Sequence, residues 1–358
     1  MQKLQVLLVG CGAISKKHVD ACIFSKDELA LSGVCDIDSD RTESITKLYT
    51  ESGGEQKPDQ FNDIDKALSV VKPDICSIAT SSSSHASLAI KALEAGCHVI
   101  LEKPMTLSSS DAEAINETAE KKKKKLSVCY ITRYAPHVMK ARRYLEEGRF
   151  GSVFHVTANI FWNRNDDYYL QAPWRGTWEK DGGTLMNQCT HAIDLQQWFL
   201  NDKIERIHGV TRKYMRPIES EDFGTAVLEC RNGAVGTLVG TVDVFPKNLG
   251  TRLSIFGEKG TVVFGGTHMD KVEIWLFEDE NEYTPDNDAV TGHPALYADF
   301  IRTIHEDKNP LIDGYEGKKS LEIVLGIYRS MHEGHPISSP FDFDQEKMIG
   351  FDLTGIQK

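Results

Sequence analysis

A short apolar run, Leu4 to Val9, breaks at Gly10-Cys11-Gly12-Ala13-Ile14-Ser15 and gives way to a helical pattern. No other feature restricts the fold so strongly. Glycines at the first and third positions let the chain turn sharply and let its backbone approach a pyrophosphate, which then rests on the amides of a helix N-terminus. A second buried-strand pattern, Leu29 to Cys35, ends on an acid, Asp36. Strand, glycine loop, helix, strand and acid in that order predict an α/β Rossmann dinucleotide-binding domain. Gly10, Gly12, Ala13 and Ile14 are then the phosphate loop, and Asp36 is the acceptor for the adenosine ribose hydroxyls. A carboxylate there repels a 2′-phosphate, so NAD is expected over NADP. Arg41 bears on the same choice: it either pairs with a phosphate, stacks on adenine, or is neutralised by Asp38 or Asp40.

The pattern continues through strands at Ile75 to Ala79 and His98 to Leu101, separated by an amphipathic helix over Ser84 to Ala95, and through a helix over Asp111 to Lys125 and a strand from Leu126 to Ile131. Residues 1–130 are therefore expected to form the NAD-binding domain. From about Gly151 the texture changes to long alternating runs: Val153 to Trp162, Ile207 to Tyr214, Gly224 to Arg231, Ala234 to Val244, Thr251 to Phe256 and Thr261 to Phe264. Alternation of this kind marks an antiparallel sheet covered on one face. Arg231-Asn232-Gly233-Ala234 and Gly257-Glu258-Lys259-Gly260 read as hairpin turns between consecutive strands. Two helices, Pro294 to Glu306 and Gly317 to Met331, close the chain. Residues 131–358 are expected to be an α+β domain for substrate binding and oligomerisation, with a large, mostly antiparallel, open-faced sheet. Such a face favours a homodimer or homotetramer.

A formal charge of −12 argues against a nucleic-acid partner, which needs a basic face. The one basic run, Lys121 to Lys125, falls at a helix end, where cations complement the dipole. The N-terminus lacks the apolar core and cleavage site of a signal peptide, and no apolar stretch spans a bilayer, so a cytoplasmic protein without membrane partners is expected. Eight cysteines carry no CxxC pair and no Cys/His cluster at metal-ligand spacing, and several lie in apolar strand patterns. Neither a disulfide nor a metal is expected.

Further motifs are more specific. His98-Val99-Ile100-Leu101-Glu102-Lys103-Pro104 resembles the Glu-Lys-Pro motif of the glucose-fructose oxidoreductase, inositol dehydrogenase and MocA (Gfo/Idh/MocA) family. Ahead of it, Ile78-Ala79-Thr80 with His85 resembles the stretch under the nicotinamide; behind it, Arg133-Tyr134, Asp181-Gly182-Gly183 through Asn187, His191 and Asp194, and the closing helix from Gly317 resemble the family's second domain. The resemblance covers nearly the whole chain in order. It implies cofactor contacts from Thr80, Ser82, His85, Glu102 and Lys103, although His85 has an equal reading as helix N-terminal structure. Ser81 and Ser82 stand where the family has Pro and Asn, and Asn187 where it often has Asp.

Oxidising a secondary alcohol requires a base for the hydroxyl proton and a cation or donor for the developing alkoxide. Lys103 and His191 fit those roles. Asn187, one turn before His191 on the expected helix, is read as positioning a substrate hydroxyl. Between the first sheet strand and this helix lies a block of aromatics, arginines and amides, Phe161 to Tyr169 and Ala172 to Trp178. Sugars stack on aromatic faces while arginines take anions, so Arg164, Tyr168, Trp174, Arg175, Asn187, Gln188 and His191 are the candidate substrate residues. Trp174 and Trp178 have core or interface readings as well. The block resembles that of UDP-N-acetylglucosaminuronate 3-dehydrogenases, which implies oxidation of a sugar or sugar-nucleotide hydroxyl. Free-sugar or inositol dehydrogenation, NAD-dependent glycoside cleavage and a non-catalytic NAD-binding regulator are the alternatives.

Overall fold

The computed structural model describes residues 3–286 and 288–354. The first unit alternates strand and helix: β1 (Leu4–Val9), α1 (Ser15–Phe24), β2 (Leu29–Cys35), α2 (Ser39–Glu51), β3 (Asp59–Phe61), α3 (Ile64–Val71), β4 (Ile75–Ile78), α4 (His85–Glu94), β5 (His98–Leu101), α5 (Ser109–Lys122) and β6 (Leu126–Val128). The six strands are parallel in the order β3-β2-β1-β4-β5-β6. Val6, Leu7, Ile75, Ile78, Val99 and Ile100 are inaccessible to solvent, as a sheet covered on both faces requires. The strand order reverses between β1 and β4, and at that switch point the carboxyl ends of parallel strands open a crevice.

The second unit contains α6 (Pro136–Glu146), β7 (Val153–Phe161), α7 (Asp166–Leu170), α8 (Thr184–Asn187), α9 (Thr190–Leu200), β8 (Ile204–Arg212), β9 (Phe223–Cys230), β10 (Val235–Thr241), β11 (Gly250–Gly257), β12 (Gly260–Gly265) and β13 (Lys271–Phe277). With β14 (Ile337–Ser338) these strands form an eight-stranded sheet in the order β13-β12-β11-β7-β10-β9-β8-β14. All neighbours are antiparallel except β7 and β10. Both expected hairpins are present, β9 to β10 and β11 to β12. Helix α9 covers one face: Ala192 to Leu200 are buried, and the Gln196 amide donates to the carbonyls of Val156 (2.9 Å) and Thr237 (2.8 Å). On β7, His155, Thr157, Asn159 and Phe161 alternate with buried residues and remain half-exposed.

The helices α10 (Gly292–Glu306) and α11 (Gly314–Glu333) correct the expected division at residue 130. Val290–Lys318 returns to the first unit, alongside the chain up to Thr106 and Ser110–Ile131; the second unit holds Thr132–Ala289 and the chain from Lys319. Apolar residues of α10, among them Leu296, Tyr297 and Phe300, are fully buried in that first unit. Strand β6 also stops at Val128, short of the expected Ile131, and Ile131–Tyr134 form a turn of 3₁₀ helix.

Candidate active site

The crevice at the switch point is shaped by backbone. Gly10 has φ of +92°, and a Cβ there would lie 2.6 Å from the Ala79 carbonyl carbon, so the loop after β1 passes directly over the end of β4. Around Gly12 a Cβ would meet nothing within 4 Å, which leaves open space on the side where a pyrophosphate approaches. The N-cap position of α1, Ile14, offers no side-chain cap, and the amides of Ser15 and Lys17 turn back onto the carbonyls of Gly12 (3.3 Å) and Ile14 (2.9 Å). Asp36 is half-exposed at the end of β2, oriented by the amides of Cys11 (2.7 Å) and Asp38 (3.0 Å). Arg41 pairs with Asp38 at 3.2 Å, one of the expected neutralising partners. Ile37, 94 % exposed beside Asp36, escaped the sequence reading; an apolar side chain standing in solvent at a ribose-binding acid suits the face of an adenine. These residues fit a dinucleotide.

At the ends of β4 and β5 the picture departs from expectation. His85 is 1 % exposed, with Nδ1 2.9 Å from the Pro104 carbonyl and Nε2 3.2 Å from that of Thr80. Burial lowers its pKa, so the neutral ring has one N–H, which belongs to the shorter contact. Glu102 is buried as well, and its Oε1 is reached by His18 (3.2 Å) and His293 (2.8 Å). Both side chains are turned into the interior, and both brace the segment that carries Lys103. Ser82 is also buried, whereas Thr80 and Lys103 are half-exposed.

In the second unit, the expected continuous helix over Asn187, His191 and Asp194 is broken at Gln188-Cys189. Asn187 ends α8, and its amide donates to Asp181, an acid that the sequence reading quoted within a motif but did not assign to the site. His191 stands half-exposed in the first turn of α9. Asp194 is committed to the interior: it takes the Arg133 guanidinium through Nε (2.7 Å) and Nη2 (2.6 Å) and the Ser320 hydroxyl (3.0 Å).

The turn into α8 is unusually tight. A Cβ on Gly183 would overlap the Glu221 carboxylate, whose Oε1 accepts from the Leu185 amide (2.9 Å) and the Tyr328 hydroxyl (3.0 Å). Burial pushes the Glu221 pKa up to about 8, and its Oε2 is buried without a partner.

The aromatic block divides. Trp178 is fully buried, edge-on to Tyr328, and is core. Trp174 is half-exposed. Two guanidiniums lie at the Tyr168 ring, Arg175 at 4.1 Å and Arg164 at 5.3 Å from its centre. Arg175 also donates to the Tyr168 carbonyl at 2.6 Å, and Gln188, itself buried, reaches the Tyr168 hydroxyl at 3.4 Å. The Nε atoms of both arginines are buried without a hydrogen-bond partner. Arg164, Tyr168, Arg175 and Gln188 therefore form one group.

Comparison with known proteins agrees with this architecture. Residues 4–130 match the oxidoreductase family with an NAD-binding Rossmann fold, and residues 138–263 match the GFO/IDH/MocA C-terminal domain. The solved WlbA dehydrogenase of Bordetella pertussis, in complex with NADH and UDP-GlcNAcA, is 35 % identical, with a TM-score of 0.85 over 95 % of this chain and 100 % of that one. The WlbA protein of Chromobacterium violaceum, with the same ligands, is also 35 % identical at a TM-score of 0.85, over 96 % of this chain and 98 % of that one. Among curated proteins, levoglucosan dehydrogenase of Pseudarthrobacter phenanthrenivorans is 24 % identical over 95 % of this chain and 92 % of its own length. The chain belongs to the Gfo/Idh/MocA family of oxidoreductases, as an NAD-binding dehydrogenase of the sugar- and polyol-oxidising kind.

Proposed function

We propose that the protein oxidises a secondary hydroxyl, C3 in the first instance, of a nucleotide sugar bearing a carboxylate, with UDP-N-acetylglucosaminuronate as the leading candidate. The observation that carries this reading is the pair of guanidiniums, Arg175 and Arg164, gathered at the Tyr168 ring, each with a buried Nε lacking a partner. Two such cations at one ring suit an anion attached to a sugar, because each ionic hydrogen bond contributes about 1.5–3 kcal/mol. The 35 % identity to two proteins solved with UDP-GlcNAcA points the same way.

In this reading NAD, when bound, accepts the hydrogen of the oxidised carbon as hydride. His191 takes the hydroxyl proton, Lys103 stabilises the oxygen as negative charge develops, and Asn187 orients the neighbouring hydroxyl. The half-exposed face of the second sheet supports pairing with a second copy, which light scattering checks directly.

The test is a substrate panel. With NAD present, UDP-sugars with and without a carboxylate, free sugars and inositols are compared by NADH formation and by mass spectrometry of the product. The expected result is a keto sugar two hydrogens lighter, formed fastest from the carboxylated UDP-sugar. Turnover confined to free sugars or inositols overturns the nucleotide-sugar reading, and release of an aglycone without net NADH identifies glycoside cleavage.

A further inference from the structure

Beneath Lys103 lies a buried polar cluster that the proposed chemistry leaves unused. His18 from α1, Glu102 after β5, Cys129 after β6 and His293 from the first turn of α10 offer ligand-type atoms all within 4.8 Å of one another, and each residue is buried. The set invites a metal, but the hydrogen bonds account for it without one. Ser77 Oγ lies 2.6 Å from the Tyr297 hydroxyl, which lies 2.8 Å from His18 Nδ1; His18 Nε2 is 3.2 Å from Glu102 Oε1. His293 Nε2 is 2.8 Å from the same oxygen, and the Cys129 thiol lies within 4.8 Å of the carboxylate. Glu102 Oε2 accepts from the Lys103 main-chain amide at 3.2 Å.

The protonation states agree with this wiring. Burial alone would raise the Glu102 carboxyl, yet the imidazole hydrogen bonds outweigh it and hold the group well below the usual range. Burial depresses His18, which is therefore neutral. One assignment satisfies every member: Ser77 donates to Tyr297, Tyr297 to His18 Nδ1, and His18 Nε2–H to the carboxylate. The donors all point toward Glu102, and its anion is met by two imidazoles and an amide.

We infer that Glu102 is a positioning residue for the oxidation step, pinning the backbone of Lys103 through its own carboxylate while His18, His293 and Tyr297 hold that carboxylate in place. On the far side, His85 fixes the Pro104 carbonyl at 2.9 Å, so the main chain is anchored both before and after the Lys103 side chain. The inference rests on Lys103 being catalytic. A shift of about 1 Å in a catalytic group costs on the order of 100-fold in rate.

The test compares Glu102→Gln, Glu102→Asp, His18→Gln, Tyr297→Phe and Lys103→Ala in the full-length protein, reading kcat, KM for the sugar, NAD affinity by titration calorimetry, and thermal stability. Gln puts an N–H₂ against donors, so Glu102→Gln is expected to lower kcat about 10–100-fold, with KM and NAD affinity changed less than about threefold. His18→Gln should fall between that variant and Tyr297→Phe, which loses about two- to fivefold; Glu102→Asp should recover part of the rate because the anion remains. Should Glu102→Gln fold poorly, His18→Gln and Tyr297→Phe carry the same comparison. Unchanged kcat in the folded Glu102 and His18 variants, with Lys103→Ala inactive, overturns the inference while sparing the catalytic reading. A fully active Lys103→Ala overturns the catalytic reading itself. Stoichiometric metal in the purified protein, lost on Glu102→Gln, makes the cluster a metal site and overturns the positioning role.

Discussion

In the first unit, Lys103 sits between two main-chain anchors supplied by buried side chains, and those side chains come from α1, α4, α10 and two strand ends. In the second unit, Tyr168 and its arginines occupy one short helix and the turns beside it, held by ring-to-guanidinium stacking and hydrogen bonds within the same segment. The first arrangement is over-determined, with several elements agreeing on one backbone position. The second is built mainly within one segment, tied to the rest of its unit by Gln188 at the Tyr168 hydroxyl, by the Val242 carbonyl at the Arg164 amide and by packing on Ile218 and Val242. The relatives include levoglucosan, glucoside and inositol dehydrogenases, and in the proposed reading that variety of substrate falls to the second kind of construction.

The strongest way to break this contrast is to remove one proposed catalytic group from each unit. Lys103→Ala and His191→Ala are each expected to lower kcat by about 10²–10⁴-fold with NAD affinity nearly unchanged, measured by NADH absorbance and calorimetry. Wild-type turnover in either variant removes that residue from the chemistry. Next in size, Asp194→Asn strands the Arg133 guanidinium in the interior of the second unit. Its loss is expected to cost about 3–5 kcal/mol in urea unfolding, because a buried cation without its counter-ion is costly. If the cost is under about 1 kcal/mol, the floor beneath His191 is softer than the geometry indicates.

Smaller effects sharpen the contrast. Arg175→Ala should raise KM for a carboxylated nucleotide sugar about 10–100-fold while leaving stability nearly untouched, as expected for contacts made mainly within one segment. Equal losses in KM and melting temperature mean instead that Arg175 is structural. Glu221 gives a pH signature. Its folded-state pKa, about 8, lies above the ordinary carboxyl value of 4.5, so the native state holds a proton that the unfolded chain releases. The associated stability is full below about pH 4.5 and declines as pH rises toward 8. Glu221→Gln should flatten that decline, with a melting temperature that gains on wild type as pH goes from 5 to 8; parallel curves would show that Glu221 does not carry the dependence.

What the sequence disclosed follows the same division. The loop Gly10 to Ser15, Asp36 and Lys103 were legible because each lies within a few residues of the strand end that defines it. The family resemblance assigns His85 and Glu102 to the cofactor together with their neighbours in sequence, yet their partners, His18, Pro104 and His293, arrive from distant segments that no local pattern reveals. The break between Asn187 and His191 was hidden for a related reason: Gly183 and Glu221 set the entry to α8 through a contact across 38 residues of chain. Six of the sheet strands of the second unit show their alternation in the sequence, but β13, seven residues from Lys271 to Phe277, is missed, and β3, with three residues, and β14, with two, are too short to show a period. The boundary at residue 130 placed α10 in the wrong unit because an amphipathic helix does not announce which core its apolar face will meet.

That return of α10 to the first unit has a consequence for the order in which the protein comes into being on the ribosome. The first unit's chain up to Ile131 is finished while His293 and Tyr297 are still to be made, roughly 160 residues later, which at about 5–20 residues per second is on the order of ten to thirty seconds. Throughout that interval Glu102 lacks one of its two imidazoles and His18 lacks its tyrosine. A nascent chain released early would therefore carry every sheet strand of the dinucleotide fold and still leave its Lys103 segment without the clasp that only the late-synthesised helix provides.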